Sequence, residues 1–127
     1  MPDNPGDDTP GAVWSASPHA NRRSVPRYRF MARAIVTELS SGTRLPARTS
    51  ELGLNGCYID TLELFPVGAL VHLRILKDNG VFETSGRVLY CHLGIGMGIV
   101  FVDSTPDQRG VLAGWVTELA AQCEPTS

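Results

Sequence analysis

Arg22, Arg23, Arg27, Arg29 and Arg33 fall within twelve residues, and no acid follows until Glu38. A guanidinium is a permanent charge on a planar fork of donors, which matches phosphate oxygens and the O6 and N7 acceptors of guanine. The cluster therefore suits a nucleotide or another polyanion, with a solvated strand face as the competing reading. The other reactive side chains form no constellation. Cys57 and Cys91 lack the sequence context of a nucleophile, and His19 stands apart in a proline-rich stretch. Among the cysteines and histidines that zinc would need clustered, Cys91 and His92 are the only close pair, and neighbours on a strand point to opposite faces, so no metal site is expected. Gly94, Gly96 and Gly98 lie on an expected strand rather than at a strand-to-helix turn, and so make no phosphate-binding fingerprint. These patterns describe a binding protein without a cofactor rather than an enzyme.

With 127 residues and 43% hydrophobic content, the chain has material for one core. The net charge of -2 conceals an asymmetry, because Asp3, Asp7 and Asp8 precede every Lys and Arg. Without those three acids the body holds 11 basic against 10 acidic residues. A duplex-binding domain is normally much more basic, so nucleic acid is disfavoured as a partner and a small anion preferred. The interleaving of Tyr28, Phe30 and Tyr58 with arginines keeps single-stranded nucleic acid as a minor alternative. Cys57, Cys91 and Cys123 are odd in number and lack CxxC spacing, which reads as free thiols in a reducing cytoplasm. No stretch approaches the roughly 20 apolar residues that span a bilayer.

Residues 1–21 are rich in Pro, Gly and Asp and are expected to be a disordered tail, as are 123–127. One domain is expected over 22–122. From Tyr28 the pattern has period two, with Phe30, Ala32, Ala34 and Val36 on one face. Ser40-Ser41-Gly42 turns the chain into a second strand over Arg44–Leu52, where Pro46 marks an edge or a bulge. Gly53-Leu54-Asn55-Gly56 is a turn, and Gly53, Asn55 and Gly56 are all suited to positive φ. Short strands follow over Cys57–Thr61, around Val71–Ile75, over Val81–Leu93 and over Gly96–Phe101. In the fifth of the six, Phe82, Val88 and Tyr90 are expected to share a face, and the alternate glycines of the sixth imply close approach of another backbone. Ser104 or Thr105 should cap a helix over about 106–121, with Val111, Leu112, Trp115, Val116 and Leu119 as its apolar stripe. The expected fold is mainly β: a six-stranded antiparallel barrel with one C-terminal helix.

The order of these signals resembles the PilZ domains, bacterial receptors for cyclic di-GMP, over nearly all of residues 22–119. The resemblance rests on an RxxxR motif at Arg23–Arg27 within RRSVPRYRF, GCYIDT at Gly56–Thr61, PVG at Pro66–Gly68, G-x-V-x-Y at Gly86–Tyr90 and GMGIVF at Gly96–Phe101. It implies a split-barrel fold and a folded cyclic di-GMP held between the arginine loop and the outer barrel wall. Arg23 and Arg27 would hold phosphate or guanine, with Arg22 as a weaker helper. Pro26 would reduce the cost of ordering that loop.

The family's second motif, D/N-x-S-x-x-G, is altered in this chain. In the preferred register it falls on Glu51–Gly56, with Glu51 in the acceptor's place, Gly53 in the serine's and the final Gly56 kept. The competing register, Arg48–Gly53, keeps serine and glycine but sets an arginine where an acceptor belongs. The resemblance thus implies a cytoplasmic, monomeric or weakly dimeric receptor that signals through an effector protein. The alternative is a PilZ-like interaction adaptor that no longer binds the nucleotide.

Overall fold

The computed structural model describes residues 25–78 and 80–122. Arg22, Arg23, Cys123 and the segments 1–21 and 123–127, whose sequence reads as disordered, lie outside them. Six strands are followed by one helix: β1 Arg27–Glu38, β2 Arg44–Gly53, β3 Gly56–Asp60, β4 Leu70–Lys77, β5 Gly80–His92, β6 Gly96–Val102 and α1 Pro106–Gln122. All neighbours are antiparallel, and the sheet closes as β1-β2-β3-β6-β5-β4 with β4 returning to β1. Closure leaves no long edge open to another chain.

Alternation builds the interior. Phe30, Ala32, Ala34 and Val36 of β1, Val71, Leu73 and Ile75 of β4, and Phe82 and Val88 of β5 all point inward. Thr105 caps α1, its Oγ1 accepting the Gln108 N–H at 3.2 Å, and Pro106 opens the first turn. Leu112 is buried, and Val111, Trp115, Val116 and Leu119 pack against the core. The helix lies across the end of the barrel where β1 and β5 begin, with Trp115 tilted against Phe30 at 5.5 Å and edge-on to Phe82 at 6.3 Å. Phe65, from the β3–β4 loop, covers the opposite end, and its carbonyl accepts from Cys91 Sγ.

Of the three register shifts, the one between β1 and β2 leaves the alternation of β1 intact, and the other two depart from simple alternation. Between β2 and β3 the register runs Thr49↔Ile59 and then Glu51↔Tyr58, leaving Ser50 without an opposite residue. Thr49 and Leu52 are both buried as a result, and Glu51 is turned outward. Between β5 and β6 the register runs Val88↔Ile99 and then Tyr90↔Gly98, so Leu89 is the extra residue. Tyr90 therefore does not share the inward face of Phe82 and Val88, as strict alternation implies. It stands on the outer wall, and Cys91 takes the inward position opposite Met97.

The glycines also differ from expectation. Positive φ occurs at Gly42, Gly68 and Gly94, and among non-glycines at Asp78 and Asp103, but not at Gly53, Asn55 or Gly56. Close packing explains the glycines instead: a Cβ on Gly56 would strike the Ile99 carbonyl, and one on Gly53 would sit 2.8 Å from the Pro26 carbonyl oxygen.

Candidate functional site

Arg27 opens β1 directly opposite Gly53, the last residue of β2. It belongs to the strand rather than to the preceding loop. Its side chain crosses the outer wall, where Nη1 lies 3.3 Å from Glu51 Oε1 and Nη2 donates a long 3.5 Å hydrogen bond to the Tyr90 hydroxyl. The guanidinium end is shielded, with 13% side-chain exposure against 34% for Glu51. Burial works to lower its pKa, but Tyr90 and Glu51 outweigh that, and the net shift is upward. Arg27 is a fixed cation on a partly desolvated surface.

The wall beyond it is aromatic. Tyr58 of β3 and Tyr90 and His92 of β5 group with ring centroids 5.2 to 6.2 Å apart. The strand between them, β6, presents only Gly98 opposite Tyr58 and Tyr90, and Gly96 opposite Asp60 and His92. Burial, followed by the charges of Tyr90, Asp60, Cys91 and Glu51, pushes the Tyr58 pKa up to about 12. The Tyr58 hydroxyl and His92 Nδ1 share a hydrogen bond of 2.8 Å.

Beneath this surface Cys57 is fully enclosed. Burial raises its pKa to about 12, only partly opposed by the charge of Arg27. Burial raises Cys91 as well. Both remain thiols near neutrality, with little of the thiolate that acts as a nucleophile. Among the described residues no group of three or more His, Cys, Asp or Glu could hold a metal ion. No helix there is long and apolar enough to cross a membrane.

Of the site residues expected from sequence, Arg27, Glu51 and Gly53 meet at one place and Gly56 lies on the adjoining strand, whereas Arg22 and Arg23 fall outside the described residues. Arg48, the acceptor position of the competing register, lies opposite Arg33 and Asp60 on exposed surface, away from the contacts of Arg27. Sequence reasoning missed Tyr58, Tyr90 and His92 as site residues. Alternation assigned Tyr90 to the interior, and the signal that could have found it is the glycine at 98, which leaves room on the outer wall for a neighbouring ring.

Fold and site together define a small closed β-barrel carrying a cationic and aromatic surface on its outer wall. The family model described as PilZ domain matches residues 21–118, and the chain belongs to the PilZ domain family. That is a family of cyclic di-GMP receptor and adaptor domains rather than of enzymes. Solved structures of similar fold include the Bacillus subtilis inhibitor of motility MotI/DgrA, at 12% identity and a TM-score of 0.67, with 80% of this chain and 52% of that one covered. The PilZ domain of YcgR from Escherichia coli with c-di-GMP matches at 16% identity and a TM-score of 0.67, covering 80% of this chain and 93% of that one. YcgR in complex with c-di-GMP matches at 19% and 0.68, covering 80% and 47%. The chain thus spans about half the length of MotI and of the longer YcgR chain. No curated protein matches it in sequence.

Proposed function

We propose that this chain is a cyclic di-GMP receptor module of the bacterial cytoplasm, forming one domain over 22–122, and that Arg23 and Arg27 hold the ligand against the wall near Glu51–Gly56. The observation that carries the reading is Arg27, the last residue of the RxxxR motif, a charged fork held between Glu51 and Tyr90 on the barrel wall. A phosphate or guanine edge would take up guanidinium hydrogens at about 1.5–3 kcal/mol per charged hydrogen bond. Glu51 would receive the N1 and N2 donors of guanine. Arg22 would assist from the loop, and Gly53 and Gly56 would let the two backbones approach. Similarly folded proteins are described as bound to c-di-GMP, and one as a c-di-GMP dependence transcription regulatory factor. Ligand binding would order the arginine loop and change a surface read by an effector protein, with the module monomeric or weakly dimeric.

One observation favours the second reading, an adaptor that has lost the nucleotide. Glu51 already occupies Arg27 at 3.3 Å, so the carboxylate would be an internal counter-ion that an anionic ligand must displace. Calorimetry with cyclic di-GMP on the wild type and on the Arg23→Ala, Arg27→Ala double variant separates the two. Micromolar binding lost in the variant is the expected result. Absence of heat from the wild type at high protein concentration would overturn the receptor and leave the adaptor.

A further inference from the structure

We infer that the outer wall formed by β2, β1 and β4 is a docking surface for an acidic, amphipathic segment of a partner protein, with Arg33 and Arg48 at its centre. The surface is separate from the contacts of Arg27 and needs no nucleotide, so the inference holds for a receptor and for an adaptor alike.

The register assembles this face. One cross-strand row holds Arg48 of β2, Arg33 of β1 and Leu76 of β4, and the next holds Pro46, Ile35 and Arg74. Residues opposite one another on neighbouring strands share a face, so these six stand together, and Arg44 extends the face beyond Pro46. Alternation sends them all outward: the arginines and Pro46 are exposed, and Ile35 and Leu76 are half-buried. Neither row contains an acid. Arg74 is paired with Glu83 of β5 at 3.1 Å, and Asp60 of β3 lies opposite Arg48 at the other edge. Arg33, Arg44 and Arg48 make no ion pair with any described residue.

Arg33 directly opposite Arg48 is a local cost, because like charges in facing positions repel with their stems about 5 Å apart. Folding gains nothing from the pair, whereas a carboxylate set between two guanidinium forks would accept hydrogen bonds from both. The aliphatic residues decide which polyanion fits. Ile35, Pro46 and Leu76 put apolar surface between the cations, and arginine combined with apolar side chains and no acids is the composition of a protein interface. A nucleic-acid strand would want aromatic rings for its bases, and neither row has one. An anionic membrane would want apolar side chains that protrude, and Ile35 and Leu76 are half-buried in the wall. Because the barrel is closed, a partner cannot add a strand here and must lie on the face as a helix or loop.

The test titrates an amphipathic helical peptide of about 18 residues, built from Glu, Leu and Ala, into the full-length protein and follows amide NMR shifts. Shifts should concentrate on β1, β2 and β4 around Arg33 and Arg48. Arg33→Glu turns the facing repulsion into an ion pair, so its melting temperature should hold or rise while its affinity for the peptide falls about tenfold. Arg87→Glu makes the same change of charge on β5, away from this face, and should leave the affinity near that of wild type. No binding at millimolar peptide, shifts that avoid these strands, or wild-type affinity in Arg33→Glu would overturn the docking surface. Tighter binding of single-stranded DNA of about 20 nucleotides, or of phosphatidylglycerol vesicles, with the same dependence on Arg33 would also overturn it and assign the face to nucleic acid or to a membrane. Cyclic di-GMP titrated into wild type and Arg33→Glu should give equal affinities, so failure of the docking surface and failure of the receptor reading are told apart.

Discussion

Gly53 offers the sharpest contest between family pattern and local geometry. The PilZ motif places serine there, and the motif alone predicts that Gly53→Ser restores a neutral hydrogen bond and tightens the ligand up to about tenfold. The structure predicts the opposite. A Cβ at this position would lie 2.8 Å from the Pro26 carbonyl oxygen and 3.3 Å from Arg27 Cγ. Relief requires the Pro26–Arg27 backbone to withdraw by a few tenths of an ångström, at the residue that carries the guanidinium. Overpacking of this kind costs about 1–3 kcal/mol, and the reduced freedom of the unfolded chain returns about 0.4–1 kcal/mol. The net loss is about 1–2 kcal/mol, equal to a fall in melting temperature of about 4–15 °C for a domain of this size. Affinity for cyclic di-GMP should fall about tenfold or more, because Arg27 is displaced from Glu51 and Tyr90. Scanning calorimetry and ligand titration on Gly53→Ala and Gly53→Ser measure both effects, with Ala isolating the steric contribution from the hydroxyl. Tighter binding by Gly53→Ser at an unchanged melting temperature would refute this reasoning.

Other expectations concern the body of the barrel. Cys57 has its pKa raised from 9.0 to about 12 by burial, so the folded protein holds a proton that the unfolded chain releases. Its contribution is intact below about pH 9 and is lost as pH rises toward 12; at about pH 10.5 that amounts to a loss of about 2 kcal/mol. Urea midpoints at pH 7 and about 10.5 should show this loss in wild type and a smaller one in Cys57→Ala, and equal slopes in the two would contradict it. Thr49 is fully buried, and its hydroxyl accepts from the Ala32 N–H at 3.0 Å and donates to the Phe30 carbonyl, where the β1–β2 register shifts. Thr49→Val strands both backbone groups and should cost about 1–3 kcal/mol in chemical denaturation, whereas a neutral result would mean that the ladder closes without it. Gly114 lies inside α1 with no neighbouring atom within 4 Å of the place a methyl would take, so Gly114→Ala should raise stability by about 0.5–1 kcal/mol. A lower melting temperature would show that α1 needs the glycine.

Much of the architecture follows from local rules. The period-two runs of β1 and β4 fix which side chains enter the barrel, because successive residues on a pleated strand must face opposite ways. Thr105, Pro106 and the stripe from Val111 to Leu119 fix the helix and its buried face in the same local manner. The sequence also marked Arg27 and Glu51 as chemistry-bearing residues, since fork and carboxylate announce themselves by type.

Alternation could not decide where the period breaks. Ser50 and Leu89 are extra only relative to strands that lie elsewhere in the chain, and each reverses the facing of the residues after it. Glu51 reaches Arg27 because of the first break, and Tyr90 reaches the outer wall because of the second. Gly53 and Gly98 look like ordinary turn and strand glycines until a carbonyl or a ring is brought against them. The residue types for a binding surface were thus written locally, whereas their convergence depended on non-local pairing, which closes the sheet and selects the positions of its bulges.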